Sequence, residues 1–123
     1  MPKRNVVHIE IPATDAKKAG EFYKSLFGWE IQSFPEMNYT MWDAGEGSAG
    51  GFSDVSEENP VGQVLIYINS DDIESDLKKA EGLGGKIVQG KTEISDTGWF
   101  GMFKDPTGNT IALYTSMNPD FNQ

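Results

Sequence analysis

The fold follows from Val6-Val7-His8-Ile9-Glu10-Ile11-Pro12, a run of β-branched residues that also holds the only histidine of the chain. Such a run predicts a β-strand. Side chains alternate along a strand with a period of two, so His8 and Glu10 share one face. The other face carries Val7, Ile9 and Ile11. The strand therefore has an apolar face to bury and a polar face to present.

Composition and charge limit the class of protein. The chain has 123 residues and a mass of 13.5 kDa, which predicts one domain. Its formal charge of −9 argues against a nucleic-acid partner, because such proteins present a basic stripe. The lack of cysteine excludes disulfides and thiolate metal sites. With no signal-peptide pattern and no run near the roughly 18 apolar residues of a membrane span, we expect a cytoplasmic protein with no membrane partner.

Two segments have the pattern of amphipathic helices. In the first, Asp15 can cap a helix whose apolar positions recur every 3.6 residues, and Gly28 ends it. In the second, Asp71 with Glu74 resembles a capping box, and the apolar pattern continues to Leu83. Each helix follows a predicted strand.

Short strands surround these helices. Beyond the opening strand, they are predicted over residues 29–33, 39–43, 64–69, 86–89, 99–104 and 110–115, and the glycine-rich stretch 45–52 is predicted to hold a turn and one more, loosely specified strand. Residues 105–109 are a strong turn signal, because proline presets one dihedral angle and Gly or Asn tolerates positive φ. The polar segment 54–62 is predicted to be a connector. The chain thus predicts a single domain, 1–123, with βαβββ modules at about residues 4–53 and 63–116.

The two modules share a register, which indicates an internal duplication. Six pairs of identical or similar residues lie 57 positions apart: Asp15 and Asp72, Leu26 and Leu83, Gly28 and Gly85, Ile31 and Val88, Gln32 and Gln89, Trp42 and Trp99. Chance would give a few such matches, but not with the strand, helix and turn signals also in phase. Two copies are expected to fold together, because neither alone could bury its sheet face.

The chain resembles a known family through motifs spread over nearly its whole length. These are His8-Ile9-Glu10-Ile11-Pro12 with Asp15, Phe22-Tyr23-Lys24-Ser25-Leu26-Phe27-Gly28-Trp29-Glu30, Asp71-Asp72-Ile73, Leu83-Gly84-Gly85-Lys86 and Asp105-Pro106-Thr107-Gly108-Asn109-Thr110-Ile111-Ala112-Leu113. Together they resemble the glyoxalase, bleomycin-resistance and dioxygenase superfamily, also called vicinal oxygen chelate proteins. The resemblance implies an α+β fold whose modules form one curled, half-barrel-like mixed sheet, with helices outside and the ligand in a cleft. It also implies a homodimer.

The resemblance further implies a divalent metal, held by up to four side chains from the first and last strands of each module. His8 occupies one such position, but Leu65 and Ala112 occupy two others and have no donor atom. Near Ala49–Phe52 there is no carboxylate or imidazole, and Glu46 is the nearest candidate. Catalytic metal sites usually need about three protein ligands, and a lone histidine would bind an ion weakly. We therefore expect no metal cofactor.

The same alternation predicts what lines the cleft instead. The predicted ligand-binding residues are Leu65, Tyr67, Asn69, Ala112 and Tyr114, together with Trp42 and Trp99. This mixture of aromatic and apolar surface with a few polar groups is typical of a small-molecule pocket. The two tryptophans either flank the cleft as a pair related by the repeat, or pack in the core.

His8 and Glu10 are the candidate catalytic pair. A carboxylate beside an imidazole can raise its basicity and support acid–base chemistry. The alternative is a hydrogen-bonded strand histidine with a carboxylate at a rim, because neighbours on one face of a strand lie about 7 Å apart.

The sequence leaves three functions open. The first is a metal-free protein that binds a small, partly aromatic or apolar molecule, as bleomycin-resistance members do by sequestration. The second is a metal-dependent lyase, isomerase or dioxygenase, similar to lactoylglutathione lyase, with displaced ligands around His8. The third is a metal-free enzyme that uses His8 and Glu10 as acid and base. The resemblance does not choose among them, because the superfamily hosts many chemistries.

Overall fold

A computed structural model describes residues 3–118. In order, its elements are β1 Val6–Ala13, α1 Ala16–Phe27, β2 Glu30–Phe34, β3 Tyr39–Gly45, β4 Ser48–Asp54, β5 Leu65–Asn69, α2 Ile73–Gly82, β6 Lys86–Ile94, β7 Gly98–Lys104 and β8 Thr110–Ser116. A 3-10 turn, Pro35–Met37, links β2 to β3. The predicted α+β class and the order strand, helix and three strands, twice over, are confirmed.

The chain divides into two compact units. The first unit is Val7–Leu65, and the second unit is residues 66–118 together with residues 3–6. Within the first unit the strands lie in the order β2-β3-β4-β1, with β1 and β4 parallel. Within the second unit the order is β5-β8-β7-β6, with β5 and β8 parallel. The units therefore repeat the same sheet topology, while the boundaries of the single predicted domain stay a prediction.

Equivalent aspartates begin the two helices. The Asp15 carboxylate accepts a hydrogen bond from the backbone N–H of Lys18 at 3.1 Å, and the Asp72 carboxylate accepts one from Ser75 at 3.0 Å. The predicted capping box of Asp71 with Glu74 is wrong by one position, because it is the Asp72 side chain that reaches the N–H three residues ahead. In the described residues, neither helix is long and apolar enough to cross a membrane.

Stacked aromatic rings form the core of the first unit beneath α1. Trp42 is 4 % exposed, and its ring stacks on Trp29 with centroids 4.3 Å apart. Tyr23 of α1 stacks on Trp29 at 5.1 Å and on Phe52 at 6.0 Å. Such pairs contribute about 0.5–1.5 kcal/mol each beyond their buried area. Gly20 lets α1 approach this side of the sheet closely, because a Cβ atom there would lie 3.0 Å from a side-chain carbon of Ile31.

Aliphatic side chains form the core of the second unit beneath α2. Ile73, Leu77 and Leu113 are buried there, and Ile68, Trp99 and Phe103 pack against them. The residues of β5, β7 and β8 that alternate with these therefore point to the opposite face.

The predicted turn between β7 and β8 is held by one carboxylate. The Oδ1 atom of Asp105 accepts hydrogen bonds from the backbone N–H groups of Thr107, Gly108 and Asn109, at 3.0, 2.9 and 2.9 Å. The side-chain amide of Asn109 donates to the other carboxylate oxygen at 3.0 Å. Hydrogen bonds from the Asn109 side chain and backbone, with those from Gly108 and Thr107, hold the pKa of Asp105 below its usual value.

An ion pair ties the N-terminal segment to α2. The Arg4 guanidinium donates from both terminal nitrogens to the carboxylate of Asp76, at 2.5 and 3.2 Å. The hydroxyl of the buried Ser70 donates to the same carboxylate at 2.6 Å. Partial burial opposes ionisation of Asp76, but the hydrogen bonds from Arg4 and Ser70 and the charge of Arg4 outweigh it and lower the pKa.

Asp76→Asn is expected to lower the free energy of unfolding at pH 7. The size of this loss is expected to decrease in acid. The pKa of Asp76 is lower in the folded chain, so its ionised form stabilises the fold above the unfolded pKa, near 3.8. That contribution is lost as the pH falls through the lower, folded pKa. Urea unfolding of both proteins at pH 7 and at several acid pH values measures the difference in unfolding free energy. A difference that stays constant across this range would contradict the assignment.

Candidate functional site

Three polar side chains meet on the face of the first unit that lies opposite α1. His8 and Glu10 belong to β1, and Tyr39 belongs to β3. Strand β4 lies between β1 and β3, and its Gly51 is paired with Glu10 on one side and Met41 on the other. Because Gly51 has no side chain, residues of the two flanking strands can reach across β4 and touch.

The tyrosine hydroxyl links the other two groups. It donates to the carboxylate of Glu10, with Oη 2.8 Å from Oε1 and 2.9 Å from Oε2, and it lies 3.0 Å from Nε2 of His8. Nε2 of His8 is also 3.3 Å from Oε2 of Glu10. The hydroxyl donates to the carboxylate because an ionised carboxylate only accepts, and the same oxygen is in hydrogen-bond contact with Nε2 of His8. We call this group the His8–Tyr39–Glu10 cluster.

The cluster is partly open to solvent. The side chain of His8 is 24 % exposed and that of Glu10 is 13 % exposed. A Cβ atom at position 51 would lie 1.8 Å from Oη of Tyr39 and 2.6 Å from Oε2 of Glu10. Glycine at position 51 is therefore a condition for the cluster to form.

The structure brings together the two residues predicted as a catalytic pair and adds a third. His8 and Glu10 lie on one face of β1 as the alternation predicted, and they adopt rotamers in which they touch. Tyr39 was missed, because alternation along residues 39–42 does not by itself say which face of β3 is covered by a helix. The signal that could have identified Tyr39 is Gly51. It lies on β4, between β1 and β3, and leaves space there for polar side chains of both strands.

The two predicted cleft tryptophans lie on the helix side of their units. Trp42 stacks on Trp29 in the core beneath α1, and Trp99 packs against the core beneath α2. The amino group of Lys91 lies 5.0 Å from the centre of the Trp99 ring. Of the two interpretations offered by the sequence, packing therefore describes both indoles. The reason is that residues 57 positions apart occupy equivalent strand faces in the two units.

The remaining predicted ligand-binding residues belong to β5 and β8, on the strand face that points away from α2. They are Leu65, Tyr67 and Asn69 of β5 and Ala112 and Tyr114 of β8, with Tyr67 paired to Ala112 and Asn69 to Tyr114. Phe100 and Met102 of β7 are partly exposed on the same face, beside Tyr114 and Ala112, and were missed.

Several of these residues have structural contacts of their own. The side-chain amide of Asn69 donates to the backbone carbonyl of Lys3 at 2.7 Å, and the hydroxyl of Tyr114 donates to that of Thr97 at 3.0 Å. Leu65 and Ala112 are almost completely buried. The partly exposed surface of this face therefore comes chiefly from Tyr67 of β5 and from Phe100 and Met102 of β7. The cleft that would unite this face with the cluster stays a prediction.

The donor set does not fit the metal centre that the resemblance implied. The cluster offers one imidazole and one carboxylate, and the Tyr39 hydroxyl is bonded between them. Across residues 3–118, no group of three or more His, Cys, Asp or Glu side chains is arranged to hold a metal ion. Glu46, the displaced ligand considered above, lies in the exposed turn between β3 and β4. Among the described residues the site therefore offers one imidazole and one carboxylate, fewer than the roughly three protein ligands that a catalytic metal centre needs.

Comparison with known sequences agrees with the family resemblance carried by the motifs. Residues 5–113 match the family model described as Glyoxalase/Bleomycin resistance protein/Dioxygenase superfamily. A glyoxylase-like domain-containing protein of Didymella fabae is 33 % identical over 116 residues, which cover 87 % of this chain and 90 % of that protein. A Mycobacterium tuberculosis protein named "Putative glyoxylase CFP32" is 28 % identical over 93 % of this chain. The chain spans about half, 49 %, of the length of that mycobacterial relative.

Solved structures share the fold. A glyoxalase/bleomycin resistance protein/dioxygenase superfamily member from Vibrio splendidus has a TM-score of 0.67 at 15 % identity, covering 93 % of this chain and 100 % of its own. Methylmalonyl-CoA epimerase from Mycobacterium tuberculosis has a TM-score of 0.67 at 13 % identity, covering 92 % of this chain and 88 % of its own. At these identities the likeness concerns the fold alone.

Proposed function

Because the chain belongs to the Glyoxalase/Bleomycin resistance protein/Dioxygenase superfamily, we propose that it binds a small, partly aromatic or apolar molecule without a bound metal. The molecule places a polar group against the His8–Tyr39–Glu10 cluster on the face of the first unit opposite α1. The observation that carries this proposal is the Tyr39 hydroxyl, held between an imidazole and a carboxylate that are both partly exposed.

The chemistry of the cluster supports a binding role. Buried polar groups that merely stabilise a fold need no exposure, whereas His8 and Glu10 keep part of their side chains accessible. A few converging polar groups beside apolar surface are typical of small-molecule sites. In the second unit, Tyr67, Phe100 and Met102 supply aromatic and apolar surface on the corresponding face.

Structural relatives bind small molecules. One solved neighbour is a methylmalonyl-CoA epimerase in complex with methylmalonyl-CoA and ammonium, with a TM-score of 0.67 at 20 % identity. That complex belongs to the epimerase, and because a shared fold does not imply a shared function, it supports small-molecule binding here by analogy alone. A homodimer, which the resemblance implied, stays part of the proposal.

Acid–base chemistry on the bound molecule is a second candidate function. The specific observation in its favour is the chain of hydrogen bonds from His8 through Tyr39 to Glu10, along which a proton can move. The metal-dependent alternative has no such support, because its donor set is too small. One tightly held divalent ion per chain, lost in His8→Ala, would favour that alternative instead.

The binding proposal is tested with four single-ring probes: benzylamine, benzyl alcohol, benzaldehyde and benzoate. We expect at least one of them to shift the ¹⁵N and ¹H resonances of Gly51 and Met41 and of the His8 imidazole. Because His8 is the only histidine, its ring signals need no separate assignment. Tyr39→Phe removes one hydrogen bond to the cluster and is expected to weaken the best probe about three- to tenfold.

The control is Tyr23→Phe, which removes a hydroxyl from α1 on the other side of the same sheet. It is expected to leave the affinity for every probe unchanged. If no probe shifts the resonances of the cluster, or if both tyrosine variants weaken binding equally, the proposed function fails.

A further inference from the structure

We infer that a cavity beneath α2, in the second unit, binds the ring of a small aromatic acid in the place that the ring of Tyr23 fills in the first unit. The cavity belongs to the other unit from the His8–Tyr39–Glu10 cluster and lies on the helix side of its own strands. The inference therefore goes beyond the proposed function and does not depend on it.

The cavity is large enough for one aromatic ring. Its volume is about 390 Å³, within the range of roughly 300–1,000 Å³ that is usual for small-molecule pockets. An apolar cavity of about 150 Å³ is already enough to hold benzene. Six apolar residues of α2, the strands and the turn after β7 line it: Ile68, Ala80, Leu83, Phe103, Pro106 and Leu113.

The internal repeat shows which part of the first unit corresponds to this cavity. Ala80 lies 57 positions after Tyr23, the same spacing that separates the two aspartates capping α1 and α2. The strand register agrees, because Phe52 and Leu113 are paired with residues of β1 and β5 that also lie 57 positions apart. Ala80 therefore occupies the position of Tyr23, and Leu113 that of Phe52.

The aromatic rings that fill this place in the first unit have no counterpart in the second. Beneath α1, the ring of Tyr23 stacks on those of Trp29 and Phe27, with centroids 5.1 and 6.1 Å apart. The second unit has three residues without a ring at the equivalent positions: Ala80, Gly84 and Lys86. A ligand ring can restore the aromatic packing against Phe103, which is only partly buried.

The charged groups at the rim favour a ligand with an acidic group. Four charged side chains line the cavity: Arg4, Asp76, Lys79 and Asp105. The carboxylate of Asp76 accepts hydrogen bonds from Arg4 and Ser70, and that of Asp105 accepts them from the backbone of its own turn. Among residues 3–118, the ammonium group of Lys79 forms no hydrogen bond or ion pair. A carboxylate on the ligand is therefore attracted to Lys79.

Titrations with phenylacetate, phenylacetamide and acetate test the inference on the unmodified protein at neutral pH. The amide keeps the ring without the charge, and acetate keeps the charge without the ring. We expect phenylacetate to shift the ¹⁵N and ¹H resonances of Ala80 and Gly85 and the methyl resonances of Leu113. Acetate is expected to bind at least about tenfold more weakly, because no ring is buried, and phenylacetamide about threefold more weakly.

Ala80→Tyr places a ring in the cavity, as Tyr23 does in the first unit. We expect it to weaken phenylacetate at least about tenfold, because the ligand ring and the new side chain compete for one space. The control is Ser75→Tyr, which adds the same ring at an exposed position of α2 and is expected to leave the affinity unchanged. If Ala80→Tyr is too unstable to titrate, Ala80→Leu fills part of the same space and is expected to weaken phenylacetate about threefold or more.

Lys79→Met removes the charge at the rim but keeps a long, unbranched side chain. We expect it to weaken phenylacetate about threefold and to leave phenylacetamide unchanged. The matched control is Lys78→Met, which changes the neighbouring exposed lysine of the same helix, outside the cavity. This control is expected to leave the affinity for both compounds unchanged.

The inference is overturned if phenylacetate does not shift the resonances of Ala80 and Gly85, or if acetate or phenylacetamide binds there as tightly. It is also overturned if filling the cavity at position 80 leaves the affinity unchanged, or if the two lysine variants weaken phenylacetate equally. Binding at the cluster is observed separately, through the resonances of Gly51 and His8, so the proposed function and this inference can fail independently.

Discussion

Trp42→Ala is expected to lower the free energy of unfolding by about 3–5 kcal/mol, the range for aromatic residues truncated in a core. Trp42 is 4 % exposed and stacks on Trp29 at 4.3 Å, so the alanine leaves a cavity beneath α1. Its indole N–H also donates to the carbonyl of Gly51 at 3.2 Å, a hydrogen bond that the variant loses. Urea unfolding followed by circular dichroism measures the change.

Leu26→Ala is the control for this prediction. Leu26 is a large apolar residue of α1 that is 59 % exposed, so its removal is expected to change stability by only about 0.5 kcal/mol. A loss below about 1.5 kcal/mol in Trp42→Ala would show that the indole is not a core residue, and would favour the cleft position that the sequence left open.

Gly50→Ala and Gly51→Ala change adjacent residues of β4. The first is expected to reduce stability strongly and the second only slightly. A Cβ atom at position 50 would lie 1.8 Å from the backbone oxygen of Ile9 and 2.7 Å from the Trp42 ring. Neither obstacle can move without separating β4 from β1 or opening the core. Gly50→Ala is therefore expected to cost about 3 kcal/mol or more, at the upper end of the range for overpacking.

A Cβ atom at position 51 meets only the ends of two side chains, Tyr39 and Glu10. These can rotate away, so Gly51→Ala is expected to change stability by less than about 1 kcal/mol, helped by the smaller entropy of the unfolded chain. The rotation breaks the His8–Tyr39–Glu10 cluster. Binding of the best of the four probes is expected to fall at least as far as in Tyr39→Phe, and the imidazole resonances of His8 are expected to move.

Thermal unfolding measures the stability of both variants, and probe titration measures their binding. Each variant changes one glycine of β4 to the same residue, so each is the control for the other. A folded Gly51→Ala protein that binds the best of the four probes with unchanged affinity would contradict the role given to the cluster. A Gly50→Ala protein as stable as the unmodified chain would contradict the close approach of β1 and β4.

Local signals were enough for most of the secondary structure. Helix α1 begins at Asp15 and ends before Gly28 because a capping carboxylate and a left-handed glycine act within one helical turn of the residues they affect. The turn at Asp105 was predicted for the same reason, since its carboxylate accepts hydrogen bonds from three residues, Thr107, Gly108 and Asn109, that all lie within four positions of it. The Asp71 capping box failed because two adjacent aspartates compete for one cap, and only the final backbone geometry selects Asp72.

The duplicated pattern of apolar residues determined more than secondary structure. Because the same strand and helix signals recur 57 residues apart, the sequence by itself determined two βαβββ modules, and with its motifs it determined the superfamily. It also placed His8 and Glu10 on one strand face, since alternation is a property of the chain.

Tertiary structure decided which residues share a site. Tyr39 lies 29 positions from Glu10, and their contact depends on strand β4 between them having glycine at the register position of Glu10. It also decided that Trp42 and Trp99 face helices, because which face of β3 or β7 is covered depends on how α1 and α2 pack. Alternation fixes that two faces exist, whereas only the packing of distant elements fixes which of them is buried.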